Sequence, residues 1–212
     1  MLARSIAKSG QKRSTNGTVA TASSGDLPAH QRRKGFVLIL VAFSTQALVA
    51  AAILVHMVPM LGALGLTGSA AFIGAIFGPS QVASRLINML GGKNLAPISL
   101  AVISASLMGL ALIVLLFGAP SIIATMMFAC LFGFGNGLFS IVSGTLPLSL
   151  FGSDGYGAMQ GKIISARLIV SATAPLAMAS SITNFGASCS LTILALTAAL
   201  GVAILTGLKL LR

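Results

Sequence analysis

From Phe36 onward the chain is a succession of apolar runs, at 36–58, 67–90, 96–117, 121–147, 158–182 and 187–208, each 22 to 27 residues long. An α-helix rises 1.5 Å per residue, so about 20 residues cross a hydrocarbon core of roughly 30 Å. Each run is long enough to span, some with tilt. A barrel strand needs only about 10 residues, and backbone in lipid must bond to itself, so these runs are expected to be helices. Turn residues separate them: Pro59 and Gly62, Gly91-Gly92-Lys93-Asn94, Gly118-Ala119-Pro120, Gly152-Ser153-Asp154-Gly155 and Asn184-Phe185-Gly186. Charge agrees with this. Only 13 Lys or Arg and 2 Asp or Glu occur in 212 residues, which is 7%. Soluble domains carry about 25%, and so few charges cannot cover a water-facing surface. The expectation is an all-α membrane protein with six transmembrane helices.

Residues 1–35 differ in kind. They are rich in Ser, Thr, Gly, Lys and Arg and poor in large apolar residues, so they cannot bury enough surface to fold alone. We read them as a basic cytoplasmic tail or linker, and 36–212 as the six-helix bundle. Seven of the 13 basic residues lie in this tail and the others are scattered between apolar runs. The net charge of +11 therefore describes no nucleic-acid surface. Cys130 and Cys189 sit in apolar runs without ligand or disulfide spacing, and read as packing residues.

Orientation follows from the basic residues. With the amino terminus in the cytoplasm, Arg85 and Lys93 flank the second-to-third connection on the inner side. Lys162 and Arg167 follow the fourth-to-fifth connection, and Lys209 and Arg212 end the chain. The outer connections, near 59–66, 118–120 and 183–186, contain no Lys or Arg. Both termini are expected to be cytoplasmic, in a multi-pass protein of the plasma or inner membrane.

Gln, Asn, His, Lys and Arg enter the first, second, fourth and fifth runs only, whereas the third and sixth carry hydroxyl groups such as Ser104 and Thr197. Spans one, two, four and five are thus expected to surround something polar, with three and six toward lipid. The pattern has the form of three helices repeated twice, with the two copies inverted. In the second span Gly74, Gly78, Gln81, Arg85 and Asn88 share a narrow arc. Arg85 either snorkels to the headgroups or faces a cavity and binds an anion. In the fifth, Gln160, Arg167 and Ser171 share a face. Arg167 lies near mid-membrane, too deep for easy snorkelling, and is read as cavity-facing; Lys162 points elsewhere, as a headgroup anchor. In the fourth, Asn136, Ser140, Ser143 and Pro147 line one face, while Ala129, Gly133 and Gly137 form a small-residue packing stripe. Gly157, Gly161 and Ser165 form a similar stripe in the fifth. Gln46 bonds to a neighbouring helix or lines the cavity. His56, near the outer end of the first span, is either an interfacial His or a coupling or substrate group.

No catalytic constellation is present. The acids are Asp26 in the tail and Asp154 in a loop, with no carboxylate pair, HExxH, GxSxG or His/Cys cluster. We expect no enzyme, no cofactor and no metal.

Several segments carry a family likeness. They are Gly78-Pro79-Ser80-Gln81-Val82-Ala83-Ser84-Arg85-Leu86 followed by Gly91-Gly92-Lys93, then His56-Met57-Val58-Pro59, and Gly144-Thr145-Leu146-Pro147-Leu148-Ser149-Leu150-Phe151-Gly152 with Gly155-Tyr156-Gly157. Through them residues 36–208 resemble the carboxy-terminal half of a major facilitator superfamily transporter. The resemblance implies a six-helix half-bundle built as a 3+3 inverted repeat, with spans one, two, four and five on the pore side. Gln81 and Arg85 are similar to a pair in carboxylate-transporting members, with Gln where those carry an acidic or polar residue. Complete members have two six-helix halves, so residues 1–35 resemble the linker between halves and the length suggests a split or truncated transporter. The expected function is secondary transport of a small, carboxylate-like anionic solute, with Arg85, Arg167, Gln81, Asn136, Gln46 and His56 as candidate binding residues. The expected partners are the lipid bilayer, the solute, and a complementary six-helix half or a second copy of the chain. The alternatives are a six-span scaffold or regulatory subunit, or a non-functional fragment.

Overall fold

A computed structural model of the protein describes residues 25–92 and 95–211. Most of the tail, Lys93 and Arg212 lie outside the described residues. Among the described residues five helices follow a 3-10 turn at Ala29–Gln31: α1, Arg32–Ala63; α2, Ala70–Gly91; α3, Pro97–Gly118; α4, Ile122–Phe151; and α5, Tyr156–Leu210. All five are long and apolar enough to cross a membrane, so the protein is all-helical and of integral-membrane character.

Two apolar clusters divide the bundle along its length. One joins Leu27, the first third of α1 (Ile39, Phe43), the start of α3 (Ile98, Ala101), the end of α4 (Leu146, Leu150) and both ends of α5 (Ile163; Leu205, Leu208). The other joins the end of α1 (Ile53, Leu61), the start of α2 (Ile73), the end of α3 (Leu112, Leu115), the start of α4 (Phe128, Phe132) and the middle of α5 (Ala174, Met178, Leu191, Leu194). Successive helices therefore run in opposite directions. The first cluster marks a basic end, which holds Arg32, Arg33, Lys34, Lys209 and, within two turns, Arg85 and Lys162. At the other end the connections 64–69 and 119–121 carry no charge; it is the neutral end.

Two helix boundaries differ from expectation. Pro59 and Gly62 do not stop the first helix, which continues to Ala63. Pro59 removes one backbone donor, but Met57, Met60 and Leu61 around it are buried in the neutral-end core and hold the helical path. The stop comes at Gly65, with φ 90°; there the Leu66 N–H bonds back to the Leu61 carbonyl at 3.0 Å. The first helix also begins four residues early, at Arg32.

The expected fifth and sixth runs join as α5, 55 residues from Tyr156 to Leu210. Gly186 alone interrupts it, at φ 81° and ψ 168°, a region open in practice only to glycine. The chain doubles back there. The Ser181 and Ser190 hydroxyl oxygens are 2.7 Å apart, whereas nine residues of unbroken helix would put them about 13 Å apart. Arms 156–185 and 187–210 thus lie side by side. A Cβ at Gly186 forces strain on this turn, so Gly186→Ala is expected to cost about 1–3 kcal/mol, seen as a lower midpoint of thermal unfolding in detergent; an unchanged midpoint would show that the turn tolerates a side chain.

Packing adds detail to the third run, which keeps an exposed apolar face at Ile103, Leu110, Ile113 and Phe117. In its most apolar window α3 is 44% buried and α2 only 28%. Ser104 does not bond to its own helix; its hydroxyl donates to the Gly135 carbonyl of α4 at 2.8 Å. Gly135 is the recess that admits it, since a Cβ there would meet Met108 Cγ at 2.6 Å and the Ser104 carbonyl at 2.8 Å. The polar helix α2 lies against α4, and α3 fills the space between α4 and α5.

Candidate functional site

A cleft of about 430 Å³ opens between α1, α4 and the first arm of α5. Its α1 wall is Ala47, Ala50, Ala51 and Leu54, side chains short enough to leave a space. Asn136 and Phe139 enter from α4, and Ile164, Arg167, Leu168 and Ser171 from α5. The helical period explains the grouping. Asn136 and Phe139 are three apart, and Arg167 and Ser171 four apart, so each pair occupies one face.

Arg167 is the chemical centre of this cleft. It is eleven residues into α5, about 16 Å from its start at 1.5 Å per residue. Its guanidinium carbon stands 5.0 Å from the centroid of the Phe139 ring, within range of cation–π attraction. Phe139 is in turn held edge-on by Phe43, with ring centroids 5.4 Å apart and planes at 86°. Arg167 Nε is buried and has no hydrogen-bond partner among the described residues. The stack holds the guanidinium at the cleft, where it retains donors for an anion; Asn136 adds an amide and Ser171 a hydroxyl. That hydroxyl donates to its own helix at the Leu168 carbonyl, 3.1 Å away, which leaves its lone pairs as acceptors.

Toward the basic end the polar faces of α4 and α5 close on one another. Gln160 Nε2 donates to the Ser143 carbonyl at 2.9 Å, and the Tyr156 hydroxyl donates to the Gly144 carbonyl at 2.9 Å.

Of the six residues singled out from the sequence, the structure brings Arg167 and Asn136 into this cleft and leaves four outside its lining. Arg85 is exposed and Gln81 half-buried on α2. The α4 seam of α2 runs through Phe77, Ser80 and Ser84, with the Gln81 backbone at its border. Gln46 is fully buried on a different side of α1; a Cβ on Gly201 would meet its Nε2 at 2.7 Å. It fills the recess of that glycine, and neither end of its amide has a partner among the described residues. His56 lies about 180° around α1 from Ala47 at 100° per residue, so it faces away from the cleft wall. Its Nδ1 is buried without a partner among the described residues. Phe139 was not foreseen; as one of several Phe residues in an apolar run it stands out only once α4 and α5 are known to be neighbours.

The two small-residue stripes part company. Gly133 and Gly137 of α4 seat α2: a Cβ on Gly133 would meet the Phe77 carbonyl and Ser80 Cβ, both at 2.7 Å, and one on Gly137 would run into Ser84 Oγ and the Gln81 carbonyl. Gly157, Gly161 and Ser165 of α5 pack against nothing in the described chain. All three are exposed, and a Cβ on either glycine would find no atom within 4 Å. Equal spacing makes an equal face, but a neighbour is needed to fill it.

Among the described residues no group of three or more His, Cys, Asp or Glu side chains could hold a metal ion. No known family profile matches the chain, and no curated protein matches it significantly.

Proposed function

We propose that this chain is one half of a secondary transporter of the major facilitator type, which binds a small carboxylate-like anion at Arg167 and exposes it alternately to the two sides of the membrane. The observation that carries the reading is the placement of one guanidinium at mid-helix depth, stacked on Phe139 and beside Asn136, in a cleft walled by alanines. An ionisable group at that depth is costly and marks a solute path by default. Counting the two arms of α5 as two spans gives six, and three plus three related by inversion is the repeat that transporters place around a midplane site. The basic end then faces the cytoplasm, with both termini.

The site is one-sided, and a partner completes it. The exposed faces of α2 and of the first arm of α5 carry Arg85, Gln81, Lys162 and the unfilled Gly157/Gly161 stripe, groups poorly suited to lipid. Neither acid of the chain lies inside a helix. A second copy would face cation with cation, so a complementary six-helix half is favoured over a homodimer. Arg85 and Gln81 then meet the solute path at that junction. The same unfilled faces favour a second reading, a membrane scaffold without transport of its own.

Uptake separates the two readings. Proteoliposomes holding this chain together with a complementary six-helix half are expected to take up short carboxylates well above neutral solutes, and the chain alone is expected to take up none. Equal leakage of neutral and anionic solutes, or no uptake by the pair, supports the scaffold.

A further inference from the structure

The segment before α1 is fastened to the end of α4. The Asp26 and Leu27 N–H groups donate to the Ser149 and Leu150 carbonyls, both at 3.1 Å. Gly25 lies so close that a Cβ would strike the backbone of Leu150, Phe151 and Gly152. Leu27 is 2% exposed, set against Gly35 of α1 and into the basic-end core with Leu146, Leu150 and Leu208. Arg32 Nε reaches back to the Leu27 carbonyl at 3.4 Å. These ties join the start of α1 to the end of α4, two of the three walls of the cleft. The third wall is tied alongside, by Tyr156 to the Gly144 carbonyl and Gln160 to the Ser143 carbonyl. All four of these α4 bonds lie between the cleft and the basic end. α4 also meets α1 through the Phe36–Phe151 and Phe43–Phe139 ring pairs and α5 through the stack of Arg167 on Phe139.

We infer that residues 25–28, with Tyr156 and Gln160, form a latch that closes the cleft at its basic end, and that releasing it opens Arg167 to water from that side. The closure adds four hydrogen bonds and one buried leucine to the apolar cluster of the basic end. It can part without disturbing the neutral-end cluster, to which none of its residues belongs.

The inference rests on reading the cleft as water-accessible, and it is tested without any solute. Cys130 and Cys189 are replaced by Ala, and Ser171→Cys serves as a reporter in sealed vesicles carrying the chain with its complementary half. A membrane-impermeant thiol reagent is added on either side. Leu27→Ala, and separately the pair Tyr156→Phe and Gln160→Leu, are expected to raise labelling from the basic-end side at least tenfold with little change from the neutral side. An Asp26→Cys/Ser149→Cys disulfide is expected to return the rate to its starting value. An unchanged rate in both variants overturns the latch and leaves the cleft reading standing. A rise that is equal from both sides also overturns it, since the bundle has then loosened throughout. Labelling from neither side in any variant overturns the cleft reading as well.

Discussion

Arg167→Ala is expected to abolish carboxylate uptake while the protein inserts and purifies normally. Removing one partner of a buried charge pair costs about 2–5 kcal/mol, at least a thirtyfold loss of affinity. Arg167→Lys keeps the charge but gives up the planar fork and much of the stacking on Phe139, so we expect it to fall between the two, roughly tenfold weaker. Phe139→Leu leaves the cation in place and removes its platform; a cation–π contact at a desolvated site contributes about 2 kcal/mol. The readouts are saturation binding of a radiolabelled short carboxylate and uptake in proteoliposomes. Wild-type affinity in Arg167→Ala would remove this residue from the site and with it the reason for placing the solute in this cleft. The same loss in Arg167→Lys as in Arg167→Ala would show that donor geometry, not charge, decides binding.

The second large effect concerns the seam between α2 and α4. At Gly137 an added methyl group meets the Ser84 hydroxyl and the Gln81 carbonyl, and a backbone carbonyl cannot swing aside. Gly137→Ala is expected to destabilise the bundle by about 1–3 kcal/mol, the range for overpacking, and Gly137→Leu to prevent stable insertion of α2. Gly144 is the control. It lies on the same helix with open space where its Cβ would be, and Gly144→Ala should be neutral or gain up to about 1 kcal/mol from the lower helical cost of alanine. Thermal unfolding in detergent compares them, and equal midpoints for the two alanine variants would contradict the close approach of α2 to α4.

Much of this fold is legible in the sequence. The second and third helices were expected at 67–90 and 96–117 and occur at Ala70–Gly91 and Pro97–Gly118, because a long apolar run bounded by turn residues has few other options in lipid. The errors fall where tertiary contacts outrank local signals. Pro59 reads as a stop, yet the buried methionines around it carry the helix onward. Asn184-Phe185-Gly186 reads as a loop, yet one glycine makes the turn. The cleft was legible only in part. Helical period placed Asn136 on one face and Arg167 on another, but it cannot say which faces meet. Gln46 shows the cost of that gap. By polarity it read as a residue that bonds to a neighbouring helix or lines the cavity, and only the distant Gly201 explains its place in the interior. Residues 25–28 read as part of a polar tail, because two backbone bonds and one leucine leave no mark in composition.

The charge asymmetry between the two ends has a further consequence for how the protein is seen from water. At the neutral end the chain turns through 64–69, 119–121 and the single residue Gly186, and none of these carries a Lys, Arg, Asp or Glu. At these described turns there is no lysine for amine chemistry and no tryptic site. The described lysines and arginines near helix ends, Arg32, Arg33, Lys34 and Lys209, lie at the opposite, basic end. Amine labelling and tryptic cleavage of the connections between the described helices are therefore expected to spare the neutral end.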